Sequence, residues 1–301
     1  MLTSEKNIIF LLSLPRSGST LLQMILGRHT VIKTESETWM MLHPLYALKT
    51  DGYTADYNEK WASDALKTFL VSLPDGEETY FEGLRLMFGH IYSCALKNSN
   101  EIYFLDKTPR YYEVIPELYK VFPNAKFIIL LRNPLAVLNS RITLLNNRKL
   151  DGLSIYKRDL FKGPGKMLKG IKCLEKNSKV LRYEDLVENP EAEIEKLCWY
   201  LDIDYDADVI NYNADQKEWA YGDPKNVYKN TRPNSSYKDN WRTSLDSPRM
   251  WRIYYEYFNM LGADLFDDMG YKSEEIRAHL SEKEPGKLKY YMNKSLRSIM
   301  R

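Results

Sequence analysis

Pro15-Arg16-Ser17-Gly18-Ser19-Thr20 lies between the apolar run of residues 8–12 and an apolar helical face made by Leu21, Leu22, Met24, Ile25 and Leu26. A chain that leaves a buried strand and enters a helix through such a turn aims unpaired amides at one point, where the helix dipole also favours negative charge. Ser17, Gly18, Ser19 and Thr20 supply the amides; Gly18 admits an anion close to the backbone, and Arg16 adds a guanidinium. The turn lacks the first glycine and the lysine of G-x-x-x-x-G-K-[ST], which disfavours an ordinary nucleoside-triphosphatase. The plainer alternative is that its serines only cap the helix.

Two further turns have the same form. In KFIILLRNPLAVLNSR, residues 126–141, a buried apolar strand ends at Arg132, Asn133 can cap the next helix, and Pro134 suits its first position. Ser140 then lies about 10 Å along that helix at 1.5 Å per residue, within a phosphate's reach of the long Arg132 side chain. An arginine after a strand is otherwise an ordinary surface ion-pair partner. In IYFLDKTPRYY, residues 102–112, another apolar strand ends in Asp106 and Lys107, with Thr108 and Pro109 placed to cap and start a helix. Open α/β sheets bind ligands outside the carboxyl ends of their strands, which is where all three turns fall.

These segments resemble the sulfotransferase superfamily, whose cofactor loop reads much like Leu14-Pro15-Arg16-Ser17-Gly18-Ser19-Thr20-Leu21-Leu22. The resemblance implies that this loop holds the 5′-phosphosulfate of 3′-phosphoadenosine 5′-phosphosulfate, that Arg132 and Ser140, eight residues apart, hold its 3′-phosphate, and that no metal is needed. Lys107, Arg16 and the loop amides would then stabilise the leaving phosphate. The segment Leu181-Arg182-Tyr183-Glu184-Asp185-Leu186 also resembles the family's strand-end segment, which puts Tyr183 among the cofactor residues; a strand leading into a capped helix reads equally well.

Sulfuryl transfer also needs a proton acceptor. Cytosolic family members place a histidine two residues after the strand-end lysine, but that position is Pro109 here. In the tyrosylprotein-type branch a catalytic glutamate lies 21 residues beyond the loop arginine in a Glu-Thr pair, which lands on Glu37-Thr38. The arginine that follows in that branch is Trp39, which counts against a peptide-tyrosine acceptor. Glu37 is therefore the expected base, on the first turn of a helix over residues 38–49, with Glu35 and His43 as alternatives; a surface glutamate complementing a helix dipole is the bland reading. Residues 221–241, with Gly222-Asp223-Pro224, Lys225, Lys229, Arg232, Lys238 and Trp241, resemble the closing loop of bacterial sulfotransferases, including domains associated with olefin-forming polyketide synthases. Lys229, Arg232 and Lys238 would contact the cofactor if that loop closes, and would be ordinary solvated charges if it does not.

The elements around these residues alternate: strands at 102–105, 127–131 and 180–181 with helices at 109–120, 134–146 and 190–201, the pattern of a parallel sheet. Helices at 59–73 and 77–97 form an insertion on the acceptor side. The fold class expected is α/β, a single P-loop-like three-layer domain with a central parallel sheet and helical insertions over residues 1–270, followed by a basic helical extension over 271–301. The tail 286–301 has five Lys or Arg, no acid, and Leu288, Met292, Leu296 and Ile299 at helical spacing, as for an anionic membrane, a partner, or its own domain.

A chain of 301 residues with 44% hydrophobic and 28% charged content can bury one large core. Its net charge of +2 gives no global field for nucleic acid. Cys94, Cys173 and Cys198 have neither disulfide nor metal-ligand spacing and fit a reducing compartment. The first strand leaves no room for a signal peptide and no apolar run reaches membrane-span length, so a cytoplasmic location is expected. The competing class is a P-loop kinase or nucleoside-triphosphatase, with Asp106 as a magnesium ligand, and a third is a non-catalytic nucleotide-binding protein. For a sulfotransferase the acceptor stays open among hydroxylated small molecules, carbohydrates, carrier-bound groups and peptide tyrosine.

Overall fold

The computed structural model describes residues 5–145, 150–212 and 230–285, together with Leu296. Strands β1 (Ile8–Ser13), β2 (Ile32–Thr34), β3 (Tyr103–Asp106), β4 (Lys126–Leu131) and β5 (Ser178–Arg182) form one parallel sheet in the order β2-β3-β1-β4-β5. Every residue of β1 is buried, because β3 and β4 flank it and helices cover both faces. That is why residues 8–12 form an unbroken apolar run and do not alternate with polar ones.

Side chains of successive strand residues point to opposite faces and divide the core in two. Ile8, Phe10, Leu12, Phe127, Ile129 and Leu131 pack under one helical layer that includes α4 (Glu77–Ala95), against which α3 (Glu59–Val71) packs, α5 (Ile115–Val121), α6 (Pro134–Leu144) and α7 (Gly163–Leu174). Ile9, Leu11, Ile128 and Leu130 pack under the other, made by α1 (Ser19–Leu26), α8 (Tyr183–Glu188) and α9 (Pro190–Leu201). The architecture is α/β, with the parallel sheet as the middle of three layers. Packing runs on past residue 270, since Tyr271, Ile276 and Leu280 are buried in the first core and the indole of Trp251 donates to the Leu280 carbonyl at 2.7 Å. Of the basic tail, residues 286–301, only the buried Leu296 is among those described. No helix of the described residues is long and apolar enough to cross a membrane.

Several element boundaries differ from the sequence expectation for local reasons. β2 was not anticipated; its three residues, Ile32-Lys33-Thr34, are too few to show a period, and β3 holds them in place. The helix expected over 109–120 is two pieces, a 3-10 turn at Pro109–Glu113 and α5, because Pro116 has no N–H to give to a continuous helix. The helix expected over 38–49 shrinks to α2 (Leu42–Tyr46). Ahead of it the Thr38 hydroxyl donates to Asp106, the Trp39 amide donates to the Thr108 hydroxyl at 3.1 Å, and Trp39 takes a φ of 57°. Those long-range bonds hold residues 37–39 out of helical geometry.

Phe10 sits at the centre of the first core, stacked on Phe127 at 5.5 Å between ring centroids and met edge-on by Tyr92 and Tyr111. Replacing Phe10 with Ala removes the hub of this cluster and leaves a cavity. The variant is expected to lose about 3–5 kcal/mol of unfolding free energy, read from the shift of a urea denaturation midpoint.

Candidate active site

A cavity of about 610 Å³ opens at the carboxyl edge of the sheet. Each strand hands one functional segment to that edge: β1 the turn of Arg16 to Thr20, β2 Glu37, β3 Lys107, β4 Arg132 and β5 Tyr183. Strand order therefore sets the order of groups along the edge, Glu37, Lys107, the Arg16 turn, Arg132 and Tyr183.

The β1 turn is held in a shape that L-residues seldom adopt. Arg16 has φ 76° and Gly18 φ 91°, so two residues of one short turn lie in the left-handed region. At Gly18 a Cβ would stand 2.4 Å from Cδ2 of Tyr183, so the aromatic ring fixes the close approach that only glycine permits. Gly18, Ser19 and Thr20 line the cavity at the start of α1. Ser17 does not join them: its amide closes the turn on the Leu14 carbonyl at 3.2 Å and its side chain is buried. One of the four expected amides is thus spent inside the loop.

Arg16, Arg132 and Ser140 come together across 124 residues of sequence. Nε of Arg16 donates to the Ser140 hydroxyl at 3.0 Å, and Nη1 of Arg132 donates to the Arg16 carbonyl at 2.9 Å. Arg132 also lies over the Tyr183 ring, 4.1 Å from its centroid, and Nη2 donates to the Tyr237 carbonyl at 3.3 Å. Its Nε is buried without a hydrogen bond among the described residues. As the sequence suggests, Asn133 caps α6, its side chain accepting from the Leu135 amide at 2.9 Å. Behind it, Glu184 accepts from the Asn133 amide at 3.0 Å and the Tyr271 hydroxyl at 2.7 Å, and burial pushes its carboxyl above the ordinary range.

Glu37 stands in the loop after β2, not on a helix, and its side chain is only 12% exposed. Lys107 donates to Oε1 at 2.7 Å and the Trp39 indole to Oε2 at 3.1 Å. An ionised carboxylate has about four lone-pair sites, so two donors fix its orientation and leave room for a third. Lys107 itself is fully buried beneath Glu37 and is not on the cavity wall, so it meets the cavity through that carboxylate. Thr38, Tyr92 and Tyr111 point their hydroxyls at Asp106, at 2.7–3.1 Å, and burial raises this carboxyl despite them. Of the alternative bases, Glu35 gives its carbonyl to Gln23, and neither Glu35 nor His43 lines the cavity.

Among the described residues, Trp241 of the expected closing segment lines the cavity but the segment's basic side chains do not. Arg232 pairs with Glu191 and Lys238 with Glu188, and neither lines the wall; Asn230, Asn234, Tyr237 and Trp241 do. The positive charges are absorbed by acids at the ends of α8 and α9, which sequence spacing does not reveal. Lys229 lies outside the described residues. Arg110, Arg141 and Tyr156, none of which was singled out by sequence, also line the cavity. Among the described residues no three His, Cys, Asp or Glu side chains gather as metal ligands.

Known proteins resemble this chain in sequence and fold. The nodulation protein NoeE of Sinorhizobium fredii is 28% identical over 288 residues, spanning 88% of this chain, and this chain spans 66% of that protein's length. A putative protein-tyrosine sulfotransferase of Caenorhabditis briggsae is 24% identical over 71% of each chain. Among solved structures, the sulfotransferase domain from the curacin biosynthetic pathway superposes with a TM-score of 0.56 at 21% identity, covering 88% of this chain and 98% of that one. The sulfotransferase domain of the Synechococcus PCC 7002 olefin synthase gives 0.53 at 24% identity, over 78% and 87%. With the model described as "Sulfotransferase family" matching residues 8–207, from β1 past α9, this chain belongs to the sulfotransferase family.

Proposed function

We propose that this chain transfers the sulfuryl group of 3′-phosphoadenosine 5′-phosphosulfate to a hydroxyl acceptor, giving a sulfate ester and adenosine 3′,5′-bisphosphate. The observation that carries the reading is the meeting of two basic strand-exit turns and one oriented carboxylate on a single cavity. The residues fit a doubly anionic adenosine donor: the Gly18 turn leaves no space for a Cβ, and Arg132 has a buried Nε without a partner among the described residues. The donor, when bound, supplies an activated sulfuryl group whose leaving group is a phosphate.

The chain's own side chains would then divide the work. Gly18, Ser19 and Thr20 offer amides to the 5′-side phosphate at the dipole-positive end of α1, with Arg16 beside them. Arg132 and Ser140 take the 3′-phosphate, which requires Ser140 to exchange its bond from Arg16 for one to phosphate. That exchange frees Nε of Arg16 for the charge that develops on the leaving oxygen. Glu37 accepts the acceptor's proton as the hydroxyl oxygen attacks, and Lys107 stabilises the carboxylate in its orientation from behind. The residue after β3 that holds a histidine in cytosolic relatives is Pro109, so the carboxylate from β2 has no competitor at that place.

Two alternatives are less well supported. A magnesium-dependent kinase would need Asp106 open to a metal, yet three hydroxyls enclose it. A purely structural nucleotide-binding protein would have no use for the Lys107–Glu37 pair at the cavity wall. A hydroxylated small molecule, a carbohydrate or a carrier-bound group each meets the requirement for an acceptor.

Glu37→Gln keeps the shape and one of the two accepted hydrogen bonds but removes the base. Turnover, followed as bisphosphate release with an acceptor found by screening, is expected to fall about 10²-fold or more, while calorimetry gives parental bisphosphate affinity. Arg132→Ala is expected to act on the other term, weakening bisphosphate binding by roughly 10- to 100-fold, as for loss of charge-assisted hydrogen bonds. Parental affinity in that variant would remove the 3′-phosphate assignment.

A further inference from the structure

Two arginines on the cavity wall have no part in the donor contacts proposed above. Arg110 follows Pro109 at the exit of β3, and Arg141 lies one residue past Ser140 on α6; both line the cavity. They share one counter-ion. Oδ2 of Asp159, a buried carboxylate, stands 3.2 Å from Nη2 of Arg110 and 3.6 Å from Nη2 of Arg141, while Oδ1 accepts from the Tyr112 hydroxyl at 2.6 Å. The other nearby acid, Glu113, is already held by Arg158 and Lys166.

Two guanidinium groups on one carboxylate leave a net positive charge in a site largely removed from water, which is costly unless an anion completes it. Arg141 is 8% exposed, its face is covered by the Tyr156 ring 4.1 Å from the guanidinium carbon, and its Nε makes no hydrogen bond among the described residues. Burial, with Arg16 and Arg110 nearby, draws its ionisation below the ordinary value against the pull of Asp159. Arg110 is held by a single ion pair and keeps about a third of its side chain, 32%, open.

Arg110 leaves β3 on the side of β2 and Glu37, away from the β1 and β4 turns assigned to the donor phosphates, and Arg141 reaches the same Asp159 carboxylate from α6 on the β4 side. We propose that the hydroxyl acceptor carries a carboxylate or phosphate group near the reacting oxygen, bound by Arg110 and Arg141. This rests on the sulfotransferase reading and narrows its acceptor to anions. A planar guanidinium pair suits either group, since each offers two or three oxygens to forked donors. The anchored anion would place the hydroxyl against Glu37, with the Trp39 and Tyr156 rings as the apolar walls between.

The test uses the full chain saturated with adenosine 3′,5′-bisphosphate and calorimetric titration of matched probes. These are 4-hydroxyphenylacetate against 4-hydroxyphenylacetamide, 3-hydroxybutyrate against 3-hydroxybutyramide, and (4-hydroxybenzyl)phosphonate as the phosphate-like arm. At least one anion is expected to bind about tenfold or more tightly than its neutral partner, and the tighter of the carboxylate and phosphonate names the group. Arg110→Gln is expected to erase that preference with bisphosphate affinity unchanged; Arg141→Lys, which keeps the charge in the buried position, is expected to reduce it. Amides that bind as well as the acids, or no binding of any anion, overturn the proposal while bound bisphosphate leaves the sulfotransferase reading standing. Equal loss of anion and bisphosphate affinity in Arg110→Gln overturns it too, by giving the arginine to the donor. Failure of the parent chain to bind bisphosphate overturns the sulfotransferase reading and this inference with it.

Discussion

A parallel sheet covered on both faces has one place to put polar groups, the edge where its strands end, and this constraint organises the whole chain. β1 is buried along its entire length, so its backbone pairs with β3 and β4 and its side chains meet only apolar neighbours. Carbonyls, amides and charges that serve chemistry are displaced to the exits. Because all five strands run the same way, five separate stretches of sequence deliver their polar residues to one rim. The close approach of Tyr183 to Gly18 and of Arg132 to the Arg16 carbonyl shows the rim acting as a unit: the exit of β5 shapes the turn of β1, and the exit of β4 braces it.

The same rim explains how a carboxylate without a helix can be well positioned. Glu37 follows the shortest strand, and nothing local would hold it. Its neighbours are tied down instead: Thr38 to the buried Asp106, Trp39 to Thr108, and Glu37 itself to Lys107. All three anchors leave β3, so β2 and β3 together act as one device for aiming a carboxylate. Asp106 works here through hydroxyl donors, and that use is incompatible with an exposed metal-ligand role.

What sequence could and could not reveal follows from range. The buried strands, the Gly18 turn and the capped start of α6 were legible because each depends on residues within one short window. β2 was not, since three residues carry no period, and the expected helix over 38–49 failed because bonds to Asp106 and Thr108, some seventy positions away, override local preference. Arg232 and Lys238 looked like cofactor ligands because a basic loop displays its charges but not their partners; Glu191 and Glu188 claim them. Arg110, Arg141 and Tyr156 gave no signal at all, as their meeting around Asp159 depends on packing α6 against the segment before α7.

Charge along the rim is graded, and the gradient bears on selectivity. At the β4 and β5 end, Arg132 faces the Tyr183 ring, and the Glu184 carboxyl behind it is turned to the Asn133 amide and the Tyr271 hydroxyl. At the β2 and β3 end, the buried Lys107 ammonium is matched one-for-one by Glu37 and stays behind the carboxylate, off the cavity wall. Between them the Arg16 turn carries the only guanidinium that bridges both motifs through Ser140 among the described residues. In the proposed reading, a donor with its 3′-side toward β4 keeps that phosphate on Arg132 and away from the Glu37 carboxylate. Reversal would press phosphate against the carboxylate. A carboxylate at the β2 end thus gives the proposed donor a preferred direction along the rim, and the pairing of β2 with β3 is what puts that carboxylate there.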